Sequence, residues 1–235
     1  MPPKRKSKVT KADDVPKDAP PAKRPRRRNV PASADNISEK IDALLASDAG
    51  EETFASSLGI DLGTSDGLYQ LLVASLIFSA RINMDIAAST AKLVIEKVPS
   101  LKDLKESTWD QRVEWLTEGK YTRYREKTAT QLGELAEMLQ EKGGSVEAIR
   151  EAAGKDAQRE RKTLKDFKGI GDVGVDIFLR DAQAVFDEVF PFAGKRDLAS
   201  AKNAGLATTA KGLLEQVGGD KQKFLRLLTA LIKHK

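Results

Sequence analysis

The stretch Lys168-Gly169-Ile170-Gly171-Asp172-Val173-Gly174 holds the residue types and spacing best suited to gripping another molecule. Glycines at alternate positions tolerate positive φ and let the backbone come close to a ligand. A turn of this kind between two helices presents bare amide N–H groups at the start of the second helix. The helix dipole adds partial positive charge there, and a phosphate oxygen suits both features. Lys168 adds a charge contact, Asp172 opposes one, and Ile170 is expected to point inward and lock the two helices together. Such a contact holds the sugar–phosphate backbone and reads no base, so it positions without specifying sequence. The expected DNA contacts are Lys168, Gly169, Ile170, Gly171, Val173 and Gly174. An ordinary tight turn can also use G-x-G. The wider string Leu164-x-x-Phe167-x-Gly169-Ile170-Gly171-x-x-x-x-Asp176-Ile177-Phe178, helical in pattern on both sides, is more specific.

Other clusters are weaker. Lys120, Arg123, Arg125 and Lys127 interleave with Tyr121 and Tyr124, a mixture that can meet both phosphates and bases. A solvated helix start explains them equally well. Arg159, Arg161, Lys162 and Lys165 form a basic approach to Lys168, offset by Glu160 and Asp166. Glu134, Glu137 and Glu141 read as a solvated helix face, and Trp109 and Trp115 as core. The chain has no cysteine, which excludes disulfides, a thiol nucleophile, thiolate zinc and an iron–sulfur cluster. Its one histidine, His234, is the penultimate residue, a poor place for a catalytic imidazole.

The overall charge of +5 is unevenly spread. Residues 1–30 hold eleven Lys or Arg against three Asp, a net +8, so the other 205 residues carry −3. Residues 1–33 are proline-rich and charged with little to bury, and are expected to be a disordered tail. Two basic clusters within it, Lys4-Arg5-Lys6 and Lys23-Arg24 with Arg26-Arg27-Arg28, read as nuclear import signals or phosphate-seeking arms. The expected location is the nucleus, with an import receptor as partner. No apolar run approaches the roughly 20 residues needed to cross a bilayer, and no secretory signal is expected at the start.

The elements that must position these groups read as helices. Ile37, Ile41, Leu44 and Leu45 share one stripe, with Gly50 as a stop. Thr64-Ser65-Asp66 offers a cap for a helix with Leu68, Leu71, Leu72, Leu76 and Ile77, apolar on more than one face and so expected in the core. Ile86, Leu93, Val94 and Val98 follow, ended by Pro99. Trp109 to Leu116 marks a shorter helix, Thr130 to Lys142 a clear one stopped by Gly143-Gly144, and Val146 to Ala152 another short one. Ile177, Phe178, Ala182, Val185 and Phe186 predict one long helix after the glycines. Leu198 with Ala201, Leu213 with Val217, and Phe224 to Ile232 predict the last ones. No two-residue alternation stands out, so the fold class is all-α.

At these residues the chain resembles the helix-hairpin-helix superfamily of DNA glycosylases, the endonuclease III-like enzymes of base excision repair. The resemblance covers about residues 66–206. It rests on Leu68–Ala80 with Arg81-Ile82-Asn83, on Gly119-Lys120-Tyr121, on the Gly169-Ile170-Gly171 hairpin, and on Pro191-Phe192-Ala193-Gly194-Lys195-Arg196-Asp197-Leu198 through Gly205-Leu206. It implies a two-lobed helical fold. A six-helix barrel lobe would take residues 66–180 and end in the hairpin at about 164–180. Residues 34–65 with 181–235 would form the second lobe, with a cleft between the two. It implies double-stranded DNA as partner, a monomer, and a monovalent cation held by the backbone carbonyls of Lys165, Phe167 and Ile170.

The match also implies lost chemistry. The family's lyase lysine falls at Val173, which has no amine to form a Schiff base. The aspartate that steadies positive charge on the sugar falls at Gly194. The nearest candidate is Asp197, one turn on, with Asp187 and Glu188 expected on the preceding helix. The resemblance therefore implies a repair-related DNA-binding protein with a degenerate active site and no lyase activity. Two alternatives stay open: a working monofunctional DNA glycosylase and a non-catalytic helical scaffold.

Overall fold

The computed structural model describes residues 34–233. The tail clusters Lys4, Arg5, Lys6, Lys23, Arg24, Arg26, Arg27 and Arg28, and the histidine His234, lie outside the described residues. Among the described residues all regular structure is helical, as the apolar periodicity predicts. The described residues belong to one compact unit.

The larger hydrophobic cluster is built around α3 (Ser65–Phe78). Thr64 caps it, its side chain accepting from the Gly67 amide. Leu71, Leu72 and Ile77 are fully buried, and α3 has apolar residues on all sides. It accordingly touches α4 (Met84–Lys97), α7 (Arg125–Glu141), α8 (Val146–Ala152) and α10 (Asp172–Ala182). Truncating any of these three side chains to alanine should cost about 2–5 kcal/mol. A 3₁₀ turn, Thr122–Tyr124, leads into α7. The short helices α2 (Phe54–Ser57), α5 (Leu101–Glu106) and α6 (Trp109–Glu118), with α9 (Ala157–Lys165), complete this part. The periodicity did not predict α2 and α5. At four and six residues they are too short to repeat a stripe, and their caps hold them: Thr53 for α2 and a Ser100–Asp103 capping box for α5.

The smaller cluster gathers Ile41 and Leu45 from α1 (Ala34–Leu45), Ala201 from α11 (Lys195–Ala204), Leu213 from α12 (Ala210–Gln216), and Phe224, Leu228 and Leu231 from α13 (Lys221–Lys233). The division between clusters differs from the expected boundaries at 65 and 180. Phe54, Leu58 and Ile60 pack into the larger core, as do Ala182, Phe186 and Val189. An aspartate holds this junction: the Asp181 carboxylate accepts from the Ala55 amide at 2.9 Å. The expected long helix through Phe186 is also corrected. Helix α10 ends at Ala182, and turns follow. Asp187 and Glu188 therefore lie in the connecting segment, not on a helix.

Candidate nucleic-acid interface and cleft

Helices α9 and α10 form the arms of the glycine hairpin. Gly169 takes φ +89°, a left-handed conformation that a side chain would resist. A Cβ there would also meet the Leu76 and Gln131 side chains. Gly171 has an ordinary φ of −83°, and nothing lies within 4 Å of where its Cβ would be. It begins α10 without a side-chain cap, so the first-turn amides have no capping acceptor among the described residues. Lys168, Gly169, Gly171, Asp172 and Val173 are exposed.

Two expected contacts turn inward instead. Ile170 is buried, as its wedge role requires, and its amide donates to the Phe167 carbonyl at 3.0 Å. Gly174 is buried where α10 crosses α3, and a Cβ there would collide with the Ser79 hydroxyl. Its glycine serves helix packing. Of the three carbonyls implied for a cation, that of Phe167 already accepts the Ile170 amide.

The basic cluster near Tyr121 divides. Tyr121 is fully buried, its hydroxyl donating to the Ile77 carbonyl at 2.9 Å, and burial pushes its pKa up. It is core. Arg123 is exposed with its guanidinium 5.2 Å from the Tyr124 ring, and Arg125 pairs with Glu126. Lys120 and Lys127 are exposed. Lys127, Gln131 and Glu134 follow at four and three residues along α7, so they share one stripe. Gln131 lies against Gly169, and the Glu134 carboxylate accepts from Lys168 Nζ at 2.6 Å. The stripe thus joins the start of α7 to the hairpin on one surface. Glu134 is correspondingly part of this surface and not a merely solvated residue. Trp109, expected in the core, is 43% exposed and donates its indole N–H to Thr130. Trp115 packs partly buried against the core.

Beside the hairpin lies a cavity of about 600 Å³. Val173, Asp176, Ile177 and Arg180 line one wall. Their spacing of three, four and seven puts them on a single face of α10. The other walls come from α2 and α3 (Phe54, Leu58, Phe78), α4 (Met84, Ala88), and the smaller cluster's α11 and α13.

The two positions that the resemblance marks for chemistry both reach this cavity, as does Asp197. Val173 offers an isopropyl group. Gly194 is buried, and a Cβ on it would come within 3.0 Å of the Asp176 carboxylate, so an aspartate there would not fit beside Asp176. Asp176 is itself engaged: Arg161 Nη1 lies 2.7 Å from Oδ1, and the Lys195 amide donates to Oδ2 at 3.2 Å. Asp197 is 3% exposed and sits at the third position of α11. Its Oδ2 accepts from the Gly194 amide at 2.7 Å, and its Oδ1 lies 3.7 Å from Arg180 Nη1. Burial raises its pKa against the opposing pull of Arg180. Arg180 is buried too. Its Nε donates to Asp181, and its guanidinium lies 4.9 Å from the Phe54 ring centre. Asp197 is a helix cap with an ion-pair partner, a role its spacing from Gly194 could have signalled.

No family model, curated protein or solved structure matches this chain.

Proposed function

We propose that this chain is a DNA-binding protein of the nucleus, related in plan to the helix-hairpin-helix glycosylases, which holds duplex DNA without removing a base. The observation that carries the reading is the exposed turn at Gly169–Gly171, with uncapped amides opening α10 at the edge of a cleft between two hydrophobic clusters. Backbone amides at a helix start favour a phosphate. The exposed Lys127 extends the same surface along α7, and the exposed Lys120 and Arg123 lie just before that helix. The non-cleaving part of the reading is supported by the cleft's side chains. No amine stands at 173, no carboxylate at 194, and both Asp176 and Asp197 are committed to local partners. The two basic clusters of residues 1–33 are proposed to engage an import receptor.

Gly171→Gln tests the interface. Its side chain would project into open space where a DNA strand would lie, and it adds no charge. Fluorescence anisotropy with a labelled duplex should show affinity falling about tenfold or more, with the melting temperature unchanged. Equal affinity for Gly171→Gln and the natural chain would remove the hairpin from the interface. Incubation with duplexes bearing uracil, alkylated, oxidised or mismatched bases should release none. Base release by the natural chain would replace the non-cleaving reading with an active glycosylase.

A further inference from the structure

Cations that flank the turn are already occupied. Lys168 Nζ lies 2.6 Å from the Glu134 carboxylate, which comes from α7. Lys165 Nζ lies 3.0 Å from Asp172, and Arg161 lies 3.4 Å from the same carboxylate. Asp172 is the first residue of α10, so its charge sits where the helix start favours an anion. A phosphate would be drawn to that same place. Lys165 and Arg161 hold the Asp172 carboxyl below its ordinary pKa, so it stays ionised at neutral pH. Arg161 has a second, more sheltered partner in Asp176 at 2.7 Å, whose side chain is only 15% exposed. That guanidinium is fixed, whereas Lys165 and Lys168 are themselves exposed.

We propose that the hairpin face is self-masked: Glu134 and Asp172 occupy Lys168 and Lys165 in the free protein, and the sugar–phosphate strand binds by displacing both carboxylates. This rests on the DNA reading above. Exposed ion pairs are weak and screened by salt, so a strand carrying closely spaced phosphates can exchange for them. The masking lowers the body's attraction for stray anions and raises its selectivity for an array of phosphates that engages both lysines and the amide turn together.

Salt titrations of duplex affinity in the full chain separate the outcomes. Glu134→Gln and Asp172→Asn should each tighten binding about threefold at low salt. Each gain should shrink as salt screens the ion pair it removes, so each variant's slope of log affinity against log salt should be steeper than that of the natural chain. Asp187→Asn is the control for simple loss of negative charge. Asp187 pairs with Lys221 beyond the far end of α10. The eleven residues of that helix place it roughly 16 Å away, past the screening length of about 8 Å at physiological salt. It should change neither affinity nor slope. Unchanged slopes in both variants, or an equal gain in Asp187→Asn, would overturn the masking. If Gly171→Gln weakens binding while those slopes stay put, masking alone fails. If Gly171→Gln is without effect, the hairpin reading fails first.

Discussion

Asp197 shows how a carboxylate in a cleft can be structural. Its two oxygens serve the Gly194 amide and the Arg180 guanidinium, and both residues are buried. Removing Asp197 leaves the buried Gly194 amide without its acceptor and the buried Arg180 guanidinium with Asp181 alone. Asp197→Ala should therefore destabilise the fold by about 2–4 kcal/mol in urea unfolding. A loss below about 0.5 kcal/mol would contradict the cap assignment. A second buried acid sets the pH response. Glu160 on α9 is 2% exposed, and neither oxygen has a hydrogen-bond partner among the described residues. Burial, then the neighbouring Glu188, pushes its pKa up to about 7. Glu188 is held low by Arg150, which donates to it through Nε and Nη2. The raised Glu160 value means that the folded state binds this proton more tightly than the unfolded chain does. Its stabilising effect is complete below the ordinary value of 4.5 and is lost as pH rises through about 7. Glu188 acts oppositely, stabilising above 4.5 and losing that effect in stronger acid. Melting temperature should thus decline between pH 5 and 8 through Glu160. Glu160→Gln, which keeps the shape without the charge, should flatten that decline.

At the scale of elements, the three hairpin glycines divide into two kinds. Gly169 needs its left-handed φ and lies tight against Leu76 and Gln131, and Gly174 lies tight against Ser79. Gly171 has neither constraint. Gly169→Ala should cost about 1–2 kcal/mol of stability, while Gly171→Ala should change it by less than about 0.5 kcal/mol. Thermal melts compare the two directly, and similar losses would mean that the bend is not held as described. Helix α10 has two uses. Its start opens the hairpin, while Val173, Asp176, Ile177 and Arg180 face the cleft. A tilt of this one helix would move both sites together.

At the scale of the whole molecule, charge is concentrated at one end of the sequence: residues 1–30 carry a net +8. Residues 32–235, which contain both hydrophobic clusters, should melt at the same temperature as the full chain but bind duplex with a shallower salt slope. A slope equal to that of the full chain would show that the basic stretch adds no phosphate contact. Fused to a reporter, residues 1–33 should direct it to the nucleus, and alanine at Lys4, Arg5, Lys6, Lys23, Arg24, Arg26, Arg27 and Arg28 should leave it evenly distributed.

The all-helical class, the α3 cap at Thr64, the inward Ile170 and the exposed glycine bend were legible because each depends on neighbours a few residues apart. Periodicity and glycine placement record such local physics directly. Short helices α2 and α5 were not legible, since one turn cannot repeat a stripe. The end of α10 at Ala182 was hidden by Val185 and Phe186, which continue an apolar pattern although they lie beyond the helix. What only the tertiary structure decided is who meets whom. Glu134 reaches Lys168 across 34 residues, Asp181 reaches Ala55 across 126, and Asp176 fills the space that leaves only a glycine at 194. Pairings of that range depend on how helices cross, and packed helices can cross in several ways that the same apolar stripes allow.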